Sequence, residues 1–212
     1  MSKAHLLCLV LLAAALAPQA ASSQEAGRLV AIQQRKYRLA HELTISGMFE
    51  PLDAFSKGVA AEGAYTLHLS DDWSWEVLRS GYLARIDTGL RAQLLRDFGV
   101  EPTAIESLQY YASSAATWAP LYGKFALRNA SLVHAEAFLV FGGAFGHFTS
   151  HSGAGPELGV GFRVFMSQTV SVRFDARDAY FFGKKKRANQ IVGGDNVLFF
   201  SLGLSINLGG ND

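Results

Sequence analysis

The sequence predicts an all-β chain: an eight-stranded antiparallel up-and-down transmembrane β-barrel with a short helix in one outside loop. Three observations predict it. Segments of the chain alternate apolar with polar or small residues at a period of two. Tight polar turns alternate along the chain with longer connections. No apolar run after Ser23 is long and clean enough for a membrane helix; the best, Leu132 to Gly146, contains His134 and Glu136.

The N-terminus reads as an export signal. Lys3 supplies a positive start, Leu6 through Leu16 an apolar stretch, and Ala20-Ala21-Ser22-Ser23 a small-residue cleavage region. Cleavage after Ser23 divides the chain into a signal peptide (1–23), a lead-in (24–37), a barrel (38–209) and a tail (210–212). The one Cys, Cys8, falls inside the signal, so the mature chain holds no Cys for a disulfide framework or a thiolate metal site. Charge is nearly balanced, with 19 Lys plus Arg against 18 Asp plus Glu. That balance gives no overall attraction to nucleic acid.

The clearest strand is the last. Leu198, Phe200, Leu202, Leu204, Ile206 and Leu208 alternate with Phe199, Ser201, Gly203, Ser205 and Asn207. Leu158 to Val164 and Val170 to Arg177 repeat the pattern, with Arg163, Arg173, Asp175 and Arg177 opposite the apolar residues. Earlier strands are expected over His41–Phe49, Val59–Leu69, Trp73 to about Leu83, Trp118–Leu127 and Val133–Phe145. The register is ambiguous near Arg79, and Pro120 weakens the start of the fourth strand. Short turns are expected at Ser70–Asp72, Arg128–Ser131 and Ser167–Thr169. Longer connections are expected at Glu50–Gly58, Asp87–Tyr110, Phe148–Gly155 and Gly183–Asn196, and these are assigned to the outside of the cell.

Which face meets the surroundings decides between a membrane barrel and a soluble one that carries an apolar ligand. The polar face carries small residues and charges of both signs: Glu42, Glu62, Glu76, Lys124, Glu136, Arg163, Arg173, Asp175 and Arg177. Eight strands enclose an interior just wide enough for side chains to fill, so these charges are expected inside, paired with one another. Trp73 and Trp75 beside a short turn, and Phe145 with Tyr180-Phe181-Phe182 beside long connections, resemble two interfacial girdles.

Three loop features carry possible chemistry. Leu90, Leu94, Leu95 and Phe98 recur at helical spacing between Thr88, a candidate cap, and Gly99, a candidate stop; packing on the barrel rim is the expected fate of this helix. Lys184-Lys185-Lys186-Arg187 forms an outside basic loop suited to anionic groups such as lipopolysaccharide phosphates. His147, Ser150, His151 and Ser152 cluster in another outside loop, but no positioned acid stands beside them. No catalytic, cofactor-binding or metal-ligating residue is assigned, and no cofactor is expected.

Gln34-Arg35-Lys36-Tyr37, the first strand through Phe49, Asp53-Ala54-Phe55, Tyr65 and Trp73-Ser74-Trp75-Glu76 together resemble the small outer-membrane β-barrel proteins common in myxobacteria, over about Gln33 to Gly209. The resemblance implies an eight-stranded barrel and no established chemistry. The chain departs from the aromatic ending of many outer-membrane proteins, since it runs on through Gly209-Gly210-Asn211-Asp212. The expected role is structural or interactive, in the bacterial outer membrane. Expected partners are membrane lipid and lipopolysaccharide, the barrel-assembly machinery and other envelope proteins, with no nucleic acid. A lipid-acting enzyme and a soluble periplasmic carrier are the alternatives.

Overall fold

The computed structural model describes residues 37–51, 56–99, 107–127, 131–183, 185–187, 190–192 and 194–209. The expected signal peptide, most of the lead-in, Asp53-Ala54-Phe55, Arg128-Asn129-Ala130, Lys184 and the tail from Gly210 lie outside these residues.

Eight strands close into an antiparallel barrel. They are β1 (His41–Glu50), β2 (Ser56–His68), β3 (Trp73–Asp87), β4 (Leu108–Leu127), β5 (Ser131–Phe148), β6 (Ser152–Phe165), β7 (Val170–Phe181) and β10 (Asp195–Leu208). Each pairs with its chain neighbour, and β10 closes on β1 from His41↔Leu208 to Phe49↔Phe200. A helix, α1 (Gly89–Phe98), follows β3, and Gly99 ends it at φ 63°. A small hairpin, β8 (Lys185–Arg187) with β9 (Gln190–Val192), occupies the last outside connection.

The apolar faces point outward. Ile45, Leu158, Val160, Leu202, Leu204 and Ile206 are all exposed, while Glu42, Thr44, Arg163, Arg173, Asp175 and Ser205 are buried inside. A soluble barrel would show the reverse, because water strongly disfavours a continuous apolar wall. The barrel is therefore a transmembrane one. Trp73 pairs with Trp118 near the end where β1 begins and β10 ends, and Tyr82 pairs with Tyr110 near the other. All four rings are exposed on the wall. From Trp73 to Tyr82 the strand climbs roughly 23 Å along the barrel axis, at about 3.3 Å per residue and about 40° of tilt. That matches the height of the apolar band of such barrels.

Three expectations need correction. β4 starts at Leu108, well before Trp118, and Pro120 sits at a bulge between Trp118 and Leu121 inside the strand. Small residues on both faces from Ala112 to Ala116 hide the alternation there. The connection expected over Phe148–Gly155 shrinks to Thr149–His151, because β6 begins at Ser152. Gly155 belongs to the strand: a Cβ there would lie 1.8 Å from the Tyr180 carbonyl oxygen, so this close approach requires glycine. Finally, Leu90 and Phe98 of α1 are 46% and 73% exposed rather than packed on the rim.

Candidate functional site

The lumen is filled in two layers. The layer nearer the start of β1 is a network of charges. Glu76, drawn inward by alternation on β3, accepts from Arg79 Nε at 3.0 Å, Arg173 Nη2 at 2.9 Å and Arg177 Nη1 at 2.8 Å. Asp175 accepts from Arg173 Nε at 3.0 Å and Arg79 Nη2 at 3.2 Å. Glu62 accepts from Arg79 at 2.6 Å, from Ser46 at 2.6 Å and from the Tyr111 hydroxyl. Glu42 pairs with Arg163 at 2.5 Å and with His68 at 2.8 Å, and Arg163 also donates to Glu136. Arg177 reaches Glu157 at 2.9 Å. Each of these groups is buried except His68, which is half-buried. A buried charge is tolerable only with such multiple partners.

Aromatic packing and missing side chains make room for this network. Arg163 and Arg173 face each other across β6 and β7, like charges in one row. The Phe138 ring accepts both guanidinium groups, with centroid distances of 5.5 Å and 4.8 Å. Gly161, opposite Phe138, clears its path: a Cβ there would fall 2.2 Å from Phe138 Cζ.

Eight of the nine predicted interior charges are brought together here. Lys124 is the exception. It pairs opposite His134 but is exposed. β3 stops pairing with β4 at Trp73↔Trp118, so β4 beyond the Pro120 bulge projects past its neighbour, and Lys124 reaches water. Two central members, Arg79 and Glu157, were not on the predicted set. The β3–β4 register shifts between Glu76 and Arg79, turning Arg79 inward. Glu157 lies between the connection expected to end at Gly155 and the strand expected from Leu158.

The layer nearer the outside loops is mainly apolar, with Glu50 and Ser56 also buried at that end. Met48, Leu83, Leu108, Tyr111, Phe148, Phe181, Val197 and Phe199 pack into one buried cluster. Tyr111 joins the two layers, its ring 5.3 Å from Phe199 and its hydroxyl on Glu62. At the opposite mouth, Tyr37 of the lead-in stands 5.4 Å from the His134 ring and 5.5 Å from Phe165.

On the outer rim the His and Ser cluster separates into two pairs. His147 Nδ1 lies 2.7 Å from Ser152 Oγ, and its ring stacks on Tyr110 at 4.8 Å. His151 pairs instead with Asp195 at 3.0 Å and stacks on Phe148. A Ser–His pair is the start of a nucleophilic site, but activation also needs a group that orients the imidazole; Asp195 serves His151. Among the described residues, no group of three or more His, Cys, Asp or Glu is arranged to hold a metal ion. Lys185, Lys186 and Arg187 of the predicted basic loop form β8, and Lys184 lies outside the described residues.

Comparison with known proteins gives likenesses of fold only. No family model and no curated protein matches the chain. Among solved structures it is similar to Neisserial surface protein A, at 12% identity and a TM-score of 0.43, covering 79% of this chain and 97% of that one. It is similar to a de novo designed transmembrane β-barrel, at 12% identity and a TM-score of 0.40, covering 82% and 99%. It is also similar to Ail, the attachment invasion locus protein of Yersinia pestis, at 13% identity and a TM-score of 0.35, covering 82% and 100%. At this level of likeness, function has to be argued from the chain's own residues.

Proposed function

We propose that this chain is a bacterial outer-membrane barrel, exported by its N-terminal segment, that serves the envelope as a structural or interaction component rather than as an enzyme or a solute conduit. One observation carries the proposal: an apolar wall surrounds a lumen filled by ion pairs below and mainly by apolar side chains above. A lumen so packed gives a ligand little room, so contacts with partners fall to the wall and the outside loops. Lipid and lipopolysaccharide are the immediate partners, with the barrel-assembly machinery acting during insertion and other envelope proteins docking afterwards. The lead-in ending at Tyr37 and the Trp73-Ser74-Trp75-Glu76 segment support a place among the myxobacterial-type small barrels.

Two measurements test it. The protein is expected in the outer-membrane fraction; recovery as a folded soluble periplasmic protein overturns the proposal. On intact cells, an impermeant thiol reagent is expected to label Ser150→Cys in the outside β5–β6 connection but not Ser167→Cys in the β6–β7 turn. The reverse pattern inverts the topology. The Ser152–His147 pair gives lipid hydrolysis its one structural foothold. Ester hydrolysis by the purified barrel that disappears in Ser152→Ala would replace the non-enzymatic reading.

A further inference from the structure

Much of the outer wall is ridged by large side chains, but over β3 to β6 it sinks into a recess of about 430 Å³. Ala112 and Ser114 of β4 and Gly143 of β5 form its floor, bordered by Leu78 of β3, Phe145 of β5 and Ala154 of β6. Register brings them together: Ala112 pairs with Phe145, Ser114 with Gly143, and Phe145 with Ala154. Leu78 and Phe145 are both exposed. They stand on the two strands that flank β4, whose own outward residues here are small.

The fold itself does not require the recess. A Cβ at Gly143 would meet nothing closer than the Gly155 carbonyl oxygen at 3.7 Å, whereas one at Gly142 would fall 2.4 Å from the Ser114 carbonyl oxygen. Gly142 is thus demanded by the close approach of strands, while Gly143 only keeps the recess open. The hydroxyl on the floor is already engaged: Ser114 accepts from Trp75 Nε1 at 3.1 Å and donates to the Glu76 carbonyl at 3.3 Å. What fills the recess therefore meets an apolar surface.

Depth says what that filling is. On β4, Ala112 and Ser114 stand two and four residues from Tyr110 on the way to Trp118. They lie roughly 5 and 10 Å below Tyr110, at about 3.3 Å per residue and about 40° of tilt. Tyr110 and Trp118 belong to the two aromatic rows of the wall, so the recess opens on hydrocarbon in the outer half of the membrane. Left empty, it would forfeit dispersion contacts along its lining; a chain seated in it is touched from beneath and from both sides. Polar groups stand at the upper end. His147 stacks on Tyr110, and its Nδ1 meets Ser152 Oγ. The Tyr110 hydroxyl and His147 Nε2 have no partner among the described residues.

We propose that this recess is a lipid site: it seats an acyl chain of an outer-leaflet lipid, whose ester end hydrogen-bonds to Tyr110 and His147. The proposal rests on the membrane assignment above.

Lipid retention tests it in the full mature chain. The protein is folded into vesicles of phosphatidylcholine and phosphatidylglycerol and extracted into mild detergent. Bound phospholipid is then counted by native mass spectrometry. The wild type is expected to keep a stoichiometric phospholipid. Gly143→Leu, which fills the recess, is expected to keep several-fold less. Gly47→Leu should match the wild type, because Gly47 is an exposed wall glycine of β1 with nothing within 4 Å of an added Cβ. Tyr110→Phe retains the ring, removes the hydroxyl and should also lower retention; no change there overturns the assignment of the ester end. Heat-modified electrophoretic mobility checks that each variant is folded, and Ala112→Leu fills the same recess from β4 should Gly143→Leu not fold. A wild type that keeps no lipid, a filled variant that keeps as much, or equal losses in Gly143→Leu and Gly47→Leu overturns the proposal while the membrane assignment stands. A wild type that is dimeric in detergent and becomes monomeric in Gly143→Leu gives the recess to a second copy and overturns it as well. A chain that does not enter vesicles overturns the membrane assignment itself.

Discussion

The two halves of the lumen solve the same filling problem by different means. In the half nearer the start of β1, Glu76, Asp175, Glu62 and Glu42 each satisfy two or more cationic or hydroxyl partners. In the half nearer the outside loops, Leu83, Leu108, Phe148 and Phe181 touch only by packing. A network of charges is cooperative: remove one member and the others remain buried without compensation. An apolar cluster is graded, because each substitution costs according to the volume it deletes. The difference teaches that single substitutions of similar size should behave differently at the two ends of one cavity.

The largest effect is expected at Glu76. Glu76→Gln keeps the shape but removes the charge that Arg79, Arg173 and Arg177 share. About 3–5 kcal/mol of folding stability should be lost, measured by denaturant titration in lipid vesicles. A loss below about 1 kcal/mol, the scale of an exposed ion pair, would mean that water screens the network and that the halves do not differ in this way. The apolar half should answer more gently and in proportion. Leu83→Ala should cost about 2–4 kcal/mol, and Leu83→Val clearly less. Equal losses for the two would break the comparison from the other side.

Coupling sharpens it further. Arg177 contacts Glu76 at 2.8 Å and Glu157 at 2.9 Å. Combining Glu76→Gln with Arg177→Gln should cost less than the two single changes added together, by about 1–3 kcal/mol. Strict additivity would show that the guanidinium and the carboxylate are held separately rather than as one network.

How much of this was legible in the sequence follows from the same division. Strict alternation in β7 and β10 placed Arg173, Asp175, Arg177 and Ser201 inside, because a one-residue error would flip every side chain of the strand. Arg79 was not legible: after Glu76 the register of β3 shifts against both β2 and β4, a relation between strands that no single segment carries. The start of β4 was hidden because Ala112, Ser114 and Ala116 face outward without bulk, opposite Tyr111, Ser113 and Ala115. The outside end of β6 was read as part of a connection through Gly155, yet it pairs with β5 from His147↔Ser152 onward, and on the β7 side Gly155 and Pro156 fall in a gap between Glu157↔Ala179 and the Ala154↔Phe182 bridge. The split of the rim cluster into His147–Ser152 and His151–Asp195 could not be foreseen, since Asp195 arrives from β10.

The smallest expected effect tests the one interior charge that the structure moves elsewhere. Alternation alone puts Lys124 on the same face as Glu136, and a lysine inside would belong to the network. Past the Pro120 bulge, however, β4 has lost β3 as its neighbour, and Lys124 is exposed opposite the buried His134. A solvated lysine contributes little, so Lys124→Gln should change stability by no more than about 0.5 kcal/mol. Arg163→Gln, by contrast, strips Glu42 and Glu136 of a shared buried partner and should cost about 3 kcal/mol or more. Measured side by side in one titration, the two cations separate position in the wall from charge as such. A loss of about 2 kcal/mol or more at Lys124, a size reached at buried rather than solvated sites, would return it to the lumen. The bulge would then not release the strand from the barrel, and the charged layer would extend to the mouth where Tyr37 meets His134 and Phe165.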